Sequence, residues 1–250
     1  FNNYIISYLA KKNNTKIIIS GIGGDELFAG YPSFNIIPKI NTYMKFIPES
    51  KILNSLINNK LYSFLKKNKM KTKYSGILDY GRNINSTFLL VRSLFLPNEI
   101  NELIDQNTFK KGYAELDILN TLNKDISNIK DTRLSIMYLE IKYYLCSKLL
   151  RDADWTSMAN SIELRTPLVD WSFFNKLIPL IKNDNSINKK LASKSMKDKI
   201  PKDIINRKKT GFVIPHDLYL KKMSYKKEYA NPIRDWSILS YEKYLQNKKN

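Results

Sequence analysis

The chain has 250 residues and a hydrophobic content of 43%, enough for a packed core of one large domain or two small ones and too much for default disorder. One cysteine, Cys146, excludes a disulfide framework and a four-cysteine zinc site, and one histidine, His216, excludes a histidine-built metal cluster. The net charge of +19 comes from lysines and arginines scattered along the chain, with no basic stripe interleaved with aromatics, so it reads as solvated surface rather than a nucleic-acid interface.

No apolar run is long enough to cross a membrane. The first dozen residues lack the basic and apolar blocks of a signal peptide. A single thiol fits a reducing compartment, and a cytoplasmic location is expected.

In chain order, Ile5, Ile6 and Leu9 suit a helix over 3–12. The β-branched run 16–19 predicts one clear strand, buried in a sheet covered on both faces. Its sheet partners are expected to lie outside this chain, because one strand makes no sheet. Pro32 and Pro38 predict a loop. The 3.6-residue spacing over 50–67 predicts a helix with Ser50 as N-cap, and 88–95 reads as helical. Pro97 is placed at the first position of a short helix that carries Glu99 and Glu102.

The segment 131–150 is the longest periodic stretch, with Leu134, Met137, Tyr138, Ile141, Tyr144, Leu145 and Leu149 on one broad face. Cys146 lies within it and reads as a packed core thiol. A further apolar segment covers 170–181, and Pro201 opens a helical turn. The whole reads as a helix-rich unit, 1–222, followed by an unassigned tail, 223–250.

The stretch Ser20-Gly21-Ile22-Gly23-Gly24-Asp25-Glu26 directly follows the predicted strand. Glycines permit positive φ and close approach of a ligand, and a strand opening into a helix presents N–H groups to an anion. Asp25 suits a hard cation such as Mg²⁺. A structural reading needs only a strand-to-helix turn with Asp25 as N-cap and Glu26 facing the helix dipole. Residues 149–170 place Arg151, Asp152, Asp154, Glu163, Arg165 and Asp170 among core-type residues. These charges read either as buried ion pairs or as the polar wall of a site for a charged substrate.

The segment SGIGGDELFAGY resembles the SG-x-G-[GS]-DE-[LV]-F-[GA]-GY stretch of the asparagine synthetase family. Three further segments resemble that family in the same order. Asp154, Ser157, Met158, Ala159, Ser161, Glu163, Arg165, Pro167 and Asp170 match its D-x-x-[ST]-M-A-x-S-x-E-x-R-x-P-[FL]-x-D pattern. Lys189 stands at a family lysine before Pro201, with Lys190 as the alternative register. Arg207, Lys209, Gly211 and Phe212 match R-x-K-x-GF.

The resemblance implies an α/β domain of the adenine nucleotide alpha hydrolase-like, ATP-pyrophosphatase type, here a truncated and mainly helical portion. It implies an ATP- and Mg²⁺-dependent ligase that activates aspartate as an acyl-adenylate, which ammonia derived from glutamine then attacks. Ser20, Gly21, Gly23, Gly24 and Asp25 would bind pyrophosphate and metal, joined by Arg207 and Lys209. Lys189 would serve the transition state, and Asp154, Glu163 and Arg165 would line the substrate pocket.

The family's SGGxDS loop and glutaminase domain are expected upstream of this chain. Ile22 departs from an acidic residue assigned to ammonia handling, since isoleucine transfers no proton. That departure leaves open a related amidotransferase or β-lactam synthetase-like enzyme acting on another carboxylate, or a non-catalytic remnant.

Overall fold

The computed structural model describes residues 2–68, 71–195, 199–207, 214–225, 229 and 231–249. They are mainly helical, 71% by residue, with one small parallel sheet of two strands. The chain divides into two compact units: Phe1–Asn35 with Ile126–Ile214, and Ile36–Asp125 with Pro215–Asn250.

In the first unit the helix Asn2–Lys12 leads into β1, Ile17–Ile19. The helix forms as expected, but its apolar positions are not its buried ones. Ile5, Ile6 and Leu9 are exposed, and the buried residue is Ser7. It packs against the helix Arg151–Met158, whose buried residues are Ala153 and Ser157. Small side chains on both surfaces let two helices approach closely.

β1 pairs in parallel with β2, Glu163–Arg165, in the register Ile17 with Glu163, Ile18 with Leu164 and Ile19 with Arg165. The partner strand is therefore within the chain, contrary to the expectation from sequence. It went unseen because Glu-Leu-Arg carries no β-branched run. The expectation of two covered faces also fails, since Ile17 is 42% and Ile19 74% exposed while Ile18 points inward.

The core of this unit gathers Leu27, Met137, Leu177 and Ile181, with Phe28, Phe34, Leu134, Ile141, Leu168, Phe174, Ile178 and Ile187 packed around them. Met137 comes from the helix Thr132–Glu140, which Asp131 caps by accepting from Leu134 N at 2.7 Å. The predicted long helix is real but changes winding: Ile141–Leu150 is π-helical and runs on into Arg151–Met158. Within that π segment only Leu145 is fully buried, and Cys146 is exposed rather than packed in the core. The widened winding breaks the 3.6-residue register on which the core assignment rested. Asp170 caps the helix Trp171–Asn183 by accepting from Phe173 N at 2.8 Å, and Leu177 and Ile181 line its buried face.

The helix Ser33–Met44 contains Pro38, where sequence predicted loop. In the second unit Lys51–Lys67 is helical as expected and packs on the 3₁₀ turn Thr72–Gly76. Short helices follow at Ile77–Tyr80, Ile84–Arg92 and Pro97–Leu103, the last with Pro97 at its first turn. Leu65, Leu78, Phe88, Leu90, Leu96 and Leu220 are buried in this unit. The C-terminal helix Pro232–Lys249 packs on His216–Lys222.

Candidate active site

β1 ends at the glycine turn, and the ladder extends one step past it. Glu163 N donates to Lys16 O at 2.9 Å, and Ser20 N donates to Arg165 O at 2.8 Å. Gly23 then takes φ of +95°, and a Cβ there would lie 2.9 Å from Val169 Cγ2. Both the left-handed backbone and the close approach of the 167–169 turn require glycine at that position. The one-turn helix Gly24–Leu27 follows, with Asp25 and Glu26 at its start. Gly23, not Asp25, is its N-cap, so the capping role read from sequence is incorrect. The Asp25 side chain is freed to point elsewhere.

The helix closes at once. Ala29 is left-handed at φ 52° and Gly30 N donates to Asp25 O at 2.8 Å, the six-to-one bond of a Schellman ending. This brings Gly30 beneath the Asp25 side chain, where a Cβ would lie 2.1 Å from Asp25 Oδ1.

Lys189 reaches this turn from far along the chain. Its Nζ lies 2.7 Å from Asp25 Oδ1, across 164 residues of sequence, and its backbone N donates to Phe28 O at 3.0 Å. Asn188 caps the helix Lys189–Lys194 by accepting from Lys190 N and Leu191 N. Arg133 steadies the preceding loop, donating to Asn185 O at 2.9 Å and to Ile187 O.

Beneath the pair lies a buried polar layer. Glu26 is 1% exposed and accepts a 2.8 Å hydrogen bond from Tyr31 Oη. Burial pushes the Glu26 carboxyl above the usual range, while the Tyr31 bond pulls it back. Burial, and then the hydrogen bond to Glu26, raise the Tyr31 phenol. Tyr31 also meets Tyr144 of the π-helix edge to face, with ring centroids 5.6 Å apart. Ser33 Oγ donates to Glu140, which is fully buried.

Ser20, Gly21, Gly23, Gly24, Asp25 and Lys189 thus come together, with β2 and the 167–169 turn alongside. Gly21 has open space where a Cβ would stand. The other candidates are elsewhere or differently disposed. Glu163 and Arg165 pair with each other at 2.8 Å, both side chains 58% exposed, because strand alternation turns both outward; the buried-pair reading is wrong for them. Asp154 is exposed on the helix Arg151–Met158. Arg207 is exposed just after the helix Lys202–Ile205, which packs on Lys189–Lys194. Lys209 lies outside the described residues.

Sequence reasoning gave no role to Tyr31, which closes the quoted SGIGGDELFAGY segment, and missed Arg133. The Tyr31 signal was present in the spacing of Glu26 and Tyr31 about a single tight turn. Arg133 acts through backbone carbonyls and leaves no pattern. Among the described residues no group of three or more His, Cys, Asp or Glu side chains is placed to hold a metal. A magnesium ion here would rest on the Asp25 carboxylate together with water and phosphate oxygens, a set that Mg²⁺ accepts. Asp25 already holds one cation, the Lys189 ammonium, at Oδ1.

Among the described residues no helix is long and apolar enough to cross a membrane. The family model of asparagine synthase matches residues 1–247. Asparagine synthetase [glutamine-hydrolyzing] 1 of Bacillus subtilis is 27% identical over 226 residues, covering 87% of this chain and 33% of the relative. Putative asparagine synthetases [glutamine-hydrolyzing] of Mycobacterium bovis and Mycobacterium tuberculosis are 23% identical over 221 residues, covering 82% of this chain and 30% of each relative. The chain therefore spans about a third of the length of the curated relatives it matches. No solved structure matches it. With a family match running from the first residue to within three of the last, the chain belongs to the asparagine synthase family.

Proposed function

We propose that the protein containing this chain is a cytoplasmic asparagine synthetase-type ligase, and that this chain is part of its synthetase domain, of nucleotide alpha hydrolase type. The family match reaches residue 247, so the tail 223–250, unassigned from sequence, is taken with residues 1–222 as part of the same domain. The β-carboxylate of aspartate attacks the α-phosphate of ATP, giving the acyl-adenylate and releasing pyrophosphate; ammonia released from glutamine by a domain outside this chain then attacks, and AMP leaves. The observation that carries this reading is the Asp25–Lys189 pair, which joins two family-like segments at the C-terminal end of a parallel strand. In open parallel sheets, ligands bind at that end.

In this reading Ser20, Gly21, Gly23 and Gly24 present backbone N–H groups to pyrophosphate. Asp25 takes Mg²⁺, which supplies charge neutralisation to the phosphates. Lys189, held at its backbone by Phe28 O, directs its ammonium at charge developing on the phosphates, where a fixed cation lowers the barrier. Arg207 and Lys209 add positive charge at the rim, and Asp154, Glu163 and Arg165 bind the amino-acid substrate.

The test is pyrophosphate release by the intact protein at saturating ATP and aspartate. Lys189→Ala is expected to slow release by about two to three decades, the effect of losing one oriented charge at a transition state. Lys190→Ala removes the same charge one position along and is the matched control. Equal, small effects of both would remove Lys189 from the chemistry.

A second reading rests on Ile22, an aliphatic side chain where well-studied members of the family carry an acid. It makes the protein a related amidotransferase or a β-lactam synthetase-like enzyme, and pyrophosphate release dependent on a carboxylate other than aspartate would favour it. Absence of release with any carboxylate would favour a non-catalytic remnant.

A further inference from the structure

The Asp25 carboxylate is held by a loop that closes on itself twice. The Schellman bond from Gly30 N to Asp25 O at 2.8 Å brings Gly30 beneath the Asp25 side chain. One residue later Tyr31 turns back and donates to Glu26 at 2.8 Å. We propose that Tyr31 is a positioning residue for the Asp25–Lys189 pair: its hydroxyl, bonded to buried Glu26, closes the 25–31 loop and so holds the Asp25 carboxylate toward Lys189.

Three features support this. The helix Gly24–Leu27 is one turn long and too short to fix its own geometry, so its side chains are set by what it is tied to. Glu26 and Asp25 are adjacent in that turn but face opposite ways, Glu26 into the protein and Asp25 outward, so a rotation of one moves the other. Ala29 holds a left-handed backbone that a non-glycine residue adopts only under constraint, and Tyr31 and Gly30 supply the constraint on its far side. The ring of Tyr31 packs on Tyr144 whether or not the hydroxyl is present, so Tyr31→Phe separates the hydrogen bond from the packing.

The positioning claim concerns the pair itself, and only its pyrophosphate arm rests on the function proposed above. Amide hydrogen exchange of the intact protein tests it, with Gly30 N and Lys189 N as reporters, because both donate within this loop. Tyr31→Phe is expected to lower protection at both by about tenfold, the size of one lost hydrogen bond, while Met137 in the core helix keeps its protection.

Glu26→Gln keeps an acceptor for Tyr31 and is expected to leave both reporters unchanged. Unchanged protection in Tyr31→Phe, or a uniform loss that includes Met137, would overturn the proposal. So would an equal loss in Glu26→Gln, which would assign the effect to the Glu26 charge.

Calorimetry with inorganic pyrophosphate and Mg²⁺ forms the second arm. Tyr31→Phe is expected to weaken binding by about tenfold or more. Should the intact parent protein bind no pyrophosphate, the phosphate role of the turn fails, and the exchange data still decide the positioning role.

Discussion

Each of the two units contains a carboxylate–cation pair at almost the same distance, yet the two have opposite surroundings. In the first unit Lys189 meets Asp25 at 2.7 Å with side chains 57% and 21% exposed. In the second Arg234 meets Glu99 at 2.6 Å with side chains 7% and 8% exposed. The buried pair is fully enclosed by partners. Arg234 also donates to Thr72 Oγ1 at 2.6 Å and to Leu94 O at 2.8 Å, and its guanidinium lies 4.3 Å from the Phe95 ring centroid and 5.0 Å from that of Tyr229. Glu99 accepts in addition from Leu96 N at 2.9 Å. The exposed pair is held instead through its backbone and its neighbours, with an oxygen and an ammonium at the surface. A contact distance therefore says little about purpose. Burial makes one pair a structural tie, and exposure leaves the other able to exchange partners.

The largest expected effect breaks the buried tie. Arg234→Ala or Glu99→Ala is expected to destabilise the second unit by about 3–5 kcal/mol, because each leaves an uncompensated buried charge. Denaturant unfolding followed at Trp236 measures this, since Trp236 packs edge-on against His216 and tilted against Tyr219 in the same unit. The double replacement Arg234→Met with Glu99→Leu is expected to cost less than either alanine change. A loss below about 1 kcal/mol in the single variants would erase the contrast between the two pairs.

Gly30→Ala comes next. The new Cβ would lie 2.1 Å from Asp25 Oδ1, so the carboxylate must move, at about 1–3 kcal/mol and with loss of the Lys189 contact. Gly21→Ala has open space and is expected to stay within about 0.5 kcal/mol of the parent. Hydrogen exchange at Met137 reads both changes in the first unit.

A pH effect belongs to the second unit. Burial lowers the Lys73 ammonium to about 8, aided by Lys71 and Arg234, while its Nζ donates to Val91 O at 2.6 Å and Ser93 O at 3.0 Å. The folded value lies below the unfolded one, so the unfolded chain holds the extra proton between them. The cost is fully present below the folded value and is relieved as pH rises. Stability should therefore increase between pH 8 and about 10, by on the order of 2 kcal/mol. Above that window burial of Tyr80, whose phenol is pushed up to about 12, reverses the trend. Lys73→Met should abolish the rise, and a flat profile in the parent would refute it.

The sequence carried the helical character and the strand at 16–19, because periodicity and β-branching are local signals, whereas the meeting of the glycine turn with Lys189, 164 residues apart, is suggested only by the order of family-like segments. It did not carry β2, whose Glu-Leu-Arg lacks strand propensity and is a strand only because Lys16 O and Ser20 N bond to it. Pro38 read as a break, yet the helix Ser33–Met44 tolerates the one donor it lacks. Glu99 read as an ordinary first-turn acid of a short helix. Its burial depends on Arg234, 135 residues away, and no local pattern reports such a partner. Cys146 was misplaced because 3.6-residue spacing was assumed where the winding is π.

The smallest expected effect falls on the exposed pair, and it is the one that sharpens the comparison most. Lys189 is more than half exposed, so its attraction to Asp25 acts in a solvent-like dielectric and must overcome the entropy of ordering a long side chain. A double-mutant cycle of Asp25→Asn and Lys189→Met should give a coupling below about 1 kcal/mol. Raising the salt to about 1 M should reduce it further, because the screening length falls to about 3 Å. The same Asp25→Asn change should nonetheless abolish binding of pyrophosphate with Mg²⁺, since asparagine offers the metal no charge. Little stability and a large loss of binding in one substitution is the signature of a residue kept for a ligand. A coupling above about 2 kcal/mol that persists in high salt would instead make Asp25–Lys189 a second structural tie, equivalent to Arg234–Glu99, and the glycine turn would lose its claim to the chemistry.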